Sequence, residues 1–359
     1  MLYTIREYAE TDKAPIANIV KEVWGEKSLA KFNLLAPWFH HRSMSAFNGS
    51  RDLVLEGRGK VVGYVRIIPC EYLLAGERIS AGYFTDFVTS PDSRGSGVKL
   101  ARHLVSIPDV LWVGTPIARV GRFWPKIIKR DVKIKPIERA VLLLSPSVFI
   151  KAKGIPSVVA APVDVLWQFL LRRKLKKINQ KKAPVPIVLS EQSTLPASDE
   201  IDEFFNVFSQ DFYAIAVRDY AFLNWRFSEA PNDYRYIWAR SEGRLVGYTI
   251  YREGSVGGRK TLLIVETMAI GEKTNCYGAM LNLVCQYGLE NGFADVQTLT
   301  SGCSRFHKAL KQLGAVLKVE DVNLIASLHS DDPRATEMFD EKKWFVSMAE
   351  ADHEFVMFK

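Results

Sequence analysis

The sequence predicts an α/β (α+β) chain of two similar domains, each a central mixed, mostly antiparallel sheet flanked by helices. Three observations predict it. First, an alternating run, Tyr83-Phe84-Thr85-Asp86-Phe87-Val88, meets a Pro91-Asp92 turn and the glycine loop Arg94-Gly95-Ser96-Gly97. Apolar residues then recur at helical spacing, at Val98, Ala101, Leu104 and Val105. Second, the hairpin pattern around Val62-Gly63-Tyr64 returns at Val246-Gly247-Tyr248, at a period too long for a solenoid. Third, the stretch between is punctuated by Pro146, Pro156, Pro162, Pro184, Pro186 and Pro196, which marks a connector. The implied division is a domain at 1–145, a Pro-rich and basic linker at 146–199, and a domain at 200–359.

The bulk numbers agree. A chain of 359 residues is long for one core and comfortable for two. With 48% hydrophobic and 25% charged residues, the composition is globular. No apolar run approaches the roughly 20 residues of a membrane span, and Met1–Arg6 lacks the pattern of a signal peptide. The four cysteines form no CxxC pair and no zinc-like spacing, so no metal is expected. These features together predict a reduced, cytoplasmic location.

In chain order, Leu2–Tyr8 alternates like an edge strand, and Thr11-Asp12 is placed to cap a helix through Ile16, Ile19, Val20 and Val23. Ala30–Met44 reads as a helical or irregular element broken by Pro37. A hairpin follows, Asp52–Glu56 and Val61–Ile68, around Gly57-Arg58-Gly59-Lys60, which lacks the length and following helix of a phosphate-binding Walker loop. Glu71–Leu74 and Arg78–Ser80 flank a turn at Gly76. Beyond the glycine loop come a buried strand at Val110–Val113, a helix at Ile117–Ile128 and a strand at Arg139–Leu144. Val163–Ile178 is an amphipathic helix. The second half repeats the order: Arg235–Ala239, Leu245–Tyr251, Leu262–Thr267, a helix at Tyr277–Glu290, Val296–Leu299, and a helix at Ser304–Leu313 closed by Gly314. Superposing the hairpins puts Asp86 and Glu266 on equivalent strands. Trp24, Trp38, Trp225 and Trp238 are expected in cores. His40 and His41, adjacent and without ligand-spaced partners, are not expected to bind metal.

Strand, glycine turn and helix place backbone N–H groups at a helix N-terminus, a ready site for phosphate. With the hairpin before and the strand–helix pair after, these residues resemble the GNAT (Gcn5-related N-acetyltransferase) superfamily. Its loop reads Gln/Arg-x-x-Gly-x-Gly/Ala, and here stands Arg94-Gly95-Ser96-Gly97-Val98-Lys99, led in by Val88-x-x-Pro91. In the second half, Phe306–Ala315 resembles the segment in which such domains end a helix with Leu-Gly. Arg218-Asp219-Tyr220 to Trp225-Arg226-Phe227 looks like tandem-GNAT proteins encoded near bacterial surface-polysaccharide genes. The resemblance therefore implies two GNAT-like domains and transfer of acetyl from acetyl-CoA to a primary amine: an amino sugar, a small amine or a lysine. It also implies that Phe87, Val88 and Thr89 pair with the pantetheine arm while Arg94, Gly95, Ser96, Gly97, Val98 and Lys99 hold the pyrophosphate. Asp86 is the candidate base, with Glu71 a second candidate.

Two departures stand out. Lys99 replaces a small residue, so it points away or supplies a cation to the phosphates. The tyrosine that many members use as acid has no counterpart, with Phe123-Trp124 near its place in the first half and Leu310 in the second. In the second half, Glu266 keeps the strand carboxylate, but Ile270–Gly278 lacks the loop and sets Glu272 where phosphate would lie. One cofactor site is expected, not two.

The +8 charge is concentrated in Leu171–Lys182, which holds seven basic residues and no acid. Such a segment suggests a local contact rather than a nucleic-acid-binding protein. It reads as a solvated helix, a patch for an anionic membrane surface or lipid-linked substrate, or a tRNA contact. Alternative functions are an aminoacyl-tRNA-dependent transferase of the peptidoglycan-bridge type and a non-catalytic CoA-binding scaffold.

Overall fold

In the computed structural model of the chain, the described residues are 3–41, 52–116, 124, 136–151, 154, 156–180, 186–271, 275–301, 304–328, 332, 334, 338 and 344–350. The helix expected at Ile117–Ile128 lies outside them except for Trp124, as do Glu272, Lys181 and Lys182. Two compact units are interleaved along the chain. One comprises Met1–Pro136, Phe212–Val217 and Asp321–Trp344; the other comprises Ile137–Asp211, Arg218–Glu320 and Phe345–Lys359.

The first unit begins with β1 (Tyr3–Glu7), α1 (Lys13–Trp24) and α2 (Glu26–His41). Asp12 does not cap α1 with its side chain as expected. Its carboxylate instead accepts from Ala9 N–H at 2.8 Å and from both terminal nitrogens of Arg6, at 2.6 and 2.8 Å. Pro37 lies inside α2 without breaking it, a second departure from the sequence pattern. Trp24 is another: it is 39% exposed, whereas Trp38, Trp225 and Trp238 are buried. α1 and α2 bring Ile16, Ile19, Val20 and Phe32 onto Val54, Tyr64 and Val88 of the sheet, forming one apolar cluster.

The sheet continues with β2 (Leu53–Gly57), β3 (Lys60–Leu74) and β4 (Glu77–Thr89), all antiparallel. After the glycine turn, α3 (Gly97–Ser106) buries Leu100, Ala101 and Leu104, and β5 (Leu111–Gly114) runs parallel to β4. Two later pieces of chain complete the sheet. Ala214–Ala216 pairs with the end of β3, and Ile325–Ser327 pairs with β5.

The second unit starts at β6 (Pro136–Leu143), followed by α4 (Pro146–Lys151), α5 (Ser157–Gln180), β7 (Val188–Gln192) and α6 (Ser198–Ser209). The strand at 214–216, β8, belongs to the first unit. Next come β9 (Arg235–Ser241), β10 (Arg244–Val256), β11 (Arg259–Ala269), α7 (Cys276–Glu290), β12 (Asp295–Ser301) and α8 (Ser304–Leu313). β7 to β11 form antiparallel neighbours in the order β7-β9-β10-β11, and β11 runs parallel to β12. β6, expected to close the first half, pairs antiparallel with β12 in this unit (Val296↔Leu142). Gly314 ends α8 at φ +95°, a left-handed stop.

The repeated Val-Gly-Tyr has a packing cause. A Cβ on Gly247 would lie 2.8 Å from Cys276 Sγ and 2.9 Å from the Met268 carbonyl. One on Gly63 would lie 3.3 Å from the Val88 carbonyl. Each glycine lets the third strand of its hairpin approach closely.

Candidate functional site

β4 carries an irregularity at its centre. Tyr64 on β3 faces Val88 and Arg66 faces Thr85, so one β3 residue opposes two on β4, Asp86 and Phe87. This is a β-bulge, and Asp86 takes the left-handed conformation at φ +48°. The bulge shifts the alternation of the strand. Phe84 and Phe87, three apart, both reach Trp124, at ring distances of 4.8 and 6.2 Å. Asp86 instead meets Arg66 Nη1 at 3.0 Å.

Just before the bulge β4 and β5 part. Their last paired residues are Phe84 and Gly114, and a Cβ on Gly114 would strike the Phe84 ring at 2.4 Å. Among the described residues, no strand pairs with Thr85–Thr89 on the side away from β3. A strand edge left open offers backbone N–H and C=O groups to any extended partner. At the parting point the Tyr83 hydroxyl lies 2.5 Å from Thr115 Oγ1.

The open edge runs directly into the glycine turn. Gly95 is at φ +84°, where a side chain would be strained. Gly97 is needed for another reason: its Cβ would lie 3.1 Å from the Phe87 ring and 3.3 Å from Thr89 Cγ2. The N–H groups of Ser96, Val98 and Lys99 bond to the carbonyls of Ser93, Gly95 and Ser96 in successive tight turns. Arg94 is exposed beside them. Lys99 Nζ lies 5.1 Å from the Tyr3 ring centroid, so its cation is directed onto an aromatic face.

On the α1–α2 side of the sheet, Arg66 is the centre of a buried polar cluster. Burial acts to lower its pKa, but Tyr64, Asp86 and Asp52 together hold it above the ordinary arginine value. The Arg66 guanidinium also lies over the rings of Phe32 and Phe39, at 4.6 and 5.2 Å. Asp52, itself buried, accepts from the Tyr64 hydroxyl and from the Ile67 N–H at 2.9 Å. His40 Nε2 lies 2.7 Å from Asp52 Oδ2. Burial pushes the Tyr64 phenol well up, so it stays protonated and donates to Asp52. A cavity of about 260 Å³ opens on this cluster, lined by Tyr8, Glu10, Lys13, Phe32, Asn33, His40 and Tyr64 among others.

Many of the site residues expected from the sequence are thus gathered on one strand and turn: Asp86, Phe87, Val88 and Thr89, then Arg94 to Lys99. Glu71 is not among them. It lies five residues from Arg66 on β3, about 17 Å at strand rise, and pairs with Arg78 at 3.2 Å. The residues that sequence reasoning missed are His40, Asp52 and Arg66, which come from α2, the head of β2, and β3. Only the Val-Gly-Tyr repeat pointed near them. Among the described residues, no group of three His, Cys, Asp or Glu side chains could hold a metal.

The second unit shows the same position in another state. Glu266 stands three residues before Ala269, which faces Gly247, just as Asp86 stands three before Thr89, which faces Gly63. A bulge again lies beside it. Here, however, the gap is filled. β11 and β12 last pair at Ile264↔Thr298, and beyond that the strand Trp344–Ser347 pairs with β12 through Thr300↔Ser347. Glu266 accepts from Arg218 Nε at 2.8 Å and Ser347 Oγ at 2.9 Å, and Arg218 also pairs with Glu350 at 2.5 Å. All three charges are buried. Burial raises the Glu266 pKa, with Arg218 and Ser347 opposing it. The Arg218-Asp219 motif is therefore structural, with Asp219 capping the turn at Tyr220–Leu223.

Comparison with known proteins agrees with this geometry. Residues 4–106 match the family model described as "Acetyltransferase (GNAT) domain". Solved structures share the fold across most of the chain. One is a probable N-acyltransferase of Enterococcus faecalis (11% identity, TM-score 0.57, covering 90% of this chain and 72% of that one). Another is a GCN5-related N-acetyltransferase of Anabaena variabilis (12%, 0.58, 90% and 72%). A third is the N-myristoyltransferase of Saccharomyces cerevisiae with bound myristoyl-CoA (10%, 0.55, 96% and 84%). No protein of curated function matches. Residues 4–106 are thus similar to a GNAT acetyltransferase domain, and the chain shares the mixed α/β fold of these solved structures.

Proposed function

We propose that the first unit binds acetyl-CoA and transfers its acetyl group to a primary amine by direct attack. The observation that carries this reading is the open β4 edge, Thr85–Thr89, running past a bulge straight into the glycine turn at α3. An extended pantetheine arm has amides to pair with that edge, and its pyrophosphate then falls at the Gly95–Lys99 turn, where the exposed Arg94 supplies the cation. The thioester carbonyl would lie at the bulge.

The acceptor enters from the cavity. Glu10 and the ring of Tyr8 suit an amine that arrives as a cation. To attack, it must lose a proton. Asp86 is tied to Arg66 as counter-ion. His40 is the better base, because Asp52 holds Nε2 and leaves Nδ1 to accept the proton. The amine nitrogen bonds to the carbonyl carbon, the C–S bond breaks, and the CoA thiolate leaves, taking up the second proton that the nitrogen loses to become an amide. The second unit, with its equivalent gap filled by the chain itself, acts as support. We place the reaction in the cytoplasm, consistent with free thiols at Cys70, Cys276 and Cys285.

Calorimetry with acetyl-CoA tests the reading: saturable binding at one site per chain is expected. Thiol release on adding an amine panel tests the chemistry. No binding at millimolar ligand would refute it, and binding without thiol release would make the protein a CoA-binding scaffold.

A further inference from the structure

The helix α5 has two unlike faces. Ala160, Leu171, Leu175 and Ile178 are buried, and Asp164 is drawn inward by Ser145 Oγ and Ser147 N, each at 2.7 Å. At 100° per residue, the opposite side is occupied first by Val165, Leu166, Phe169 and Leu170. These are 73%, 61%, 61% and 43% exposed. The same outer side continues with Arg172, Arg173, Lys176 and Lys177, all exposed. Asp164 is the sole acid within α5. The outer face is therefore aliphatic and aromatic for two turns, then cationic for two.

A solvated helix does not leave four large apolar side chains in one patch against water. We propose that this face docks the protein on an anionic membrane surface. The apolar turns enter the boundary between headgroups and acyl chains, and the basic turns lie on lipid phosphates. Charge complementarity selects this occupant. Nucleic acid would use the cations but leave Val165, Leu166 and Leu170 unsatisfied, since they offer no stacking surface. A second copy of the chain fits poorly as well. A twofold pairing that apposes the apolar turns leaves the cations of both helices without an acidic partner on this face, whose helix holds Asp164 alone. Among the described residues no helix is long and apolar enough to cross a membrane, and the apolar part of this face covers only about 9 Å. The contact is peripheral.

Flotation of the full chain with vesicles tests the proposal. Binding to phosphatidylcholine vesicles containing phosphatidylglycerol is expected, with little to phosphatidylcholine alone and less as salt rises. The double variant Leu166→Glu/Phe169→Glu should lower the bound fraction about tenfold or more. Arg172→Glu/Arg173→Glu should lower it by a similar amount. All four side chains are exposed, so thermal melting and acetyl-CoA binding should not change. Equal binding to both vesicle types, or to neither, would overturn the proposal. Retention of RNA without vesicle binding would assign the face to nucleic acid instead. A concentration-dependent dimer abolished by Phe169→Glu would assign it to a second copy.

Discussion

Asp86 and Glu266 occupy the same place in two hairpins, and each is the counter-ion of a fully buried arginine. Asp86 faces Arg66 at 3.0 Å and Glu266 faces Arg218 at 2.8 Å. The difference lies in what surrounds them. Asp86 borders an open strand edge, whereas Glu266 is sealed by Ser347 and the second carboxylate, Glu350.

Removing either acid should therefore cost stability before it costs chemistry. Asp86→Asn leaves Arg66 with Asp52 at 3.9 Å as its remaining acid among the described residues. Glu266→Gln leaves Arg218 with Glu350. Breaking a buried pair on one side costs roughly 3–5 kcal/mol. We expect a loss near the upper end for Asp86→Asn and a smaller one for Glu266→Gln, read from denaturant unfolding. Unchanged midpoints would show that the arginines find other partners.

His40→Gln should leave acetyl-CoA affinity as it is and reduce turnover about 100-fold, the scale of general base catalysis. Asp52→Asn should act in the same direction, because it frees the imidazole to turn. It should also lower the melting temperature, since Asp52 bonds Tyr64 and Ile67. Turnover unaffected by His40→Gln would return the base role to Asp86.

At the glycine turn, Arg94→Glu is expected to weaken acetyl-CoA binding about tenfold or more, with the loss shrinking as salt screens the phosphates. Gly95→Val forces a branched residue to φ +84°, a strain of about 1–2 kcal/mol. Both variants should keep a stoichiometry of one or fall to none. A wild-type stoichiometry of two would mean that the second unit also binds.

The Asp12 carboxylate is held below the usual aspartate range, first by its bonds to Arg6 and then by the Ala9 N–H, against the opposing pull of burial. A depressed folded-state pKa contributes stability above the unfolded value near 3.8, and that contribution fades as pH falls through the folded value. Arg6 is over one-third exposed, so the share is modest, about 1 kcal/mol at neutral pH. Asp12→Asn should lower the melting temperature at pH 7, and the gap from wild type should close in acid. A gap that is the same at both ends would mean that the carboxylate acts through shape alone.

The parts of this fold that the sequence displayed were those written in local pattern. Alternation marked the hairpins, and Arg94-Gly95-Ser96-Gly97 marked the turn. The Val-Gly-Tyr repeat marked the duplicated strands because glycine is needed where a neighbouring strand comes close. The cluster of His40, Asp52 and Arg66 was invisible, since its members are separated in sequence and meet only when α2 lies over β3. Pro37 misled by suggesting a break that packing overrides. β6 misled in another way, because strand character is local whereas the choice of partner is not. The filling of the second gap depends on Ser347 and Glu350, far from Glu266 in the chain and unmarked by any motif.

The interleaving of the two units constrains how the protein can be made. Among the described residues, β5 acquires its outer neighbour from Ile325–Ser327, and β3 acquires one from Ala214–Ala216. As the chain emerges from a ribosome, the first unit must wait, with an exposed sheet edge, until Ile325–Ser327 has been synthesised, about 210 residues after β5. A cut near residue 145 would leave that wait permanent. An expressed N-terminal half is then expected to associate with other chains through those edges, not to fold as a separate enzyme.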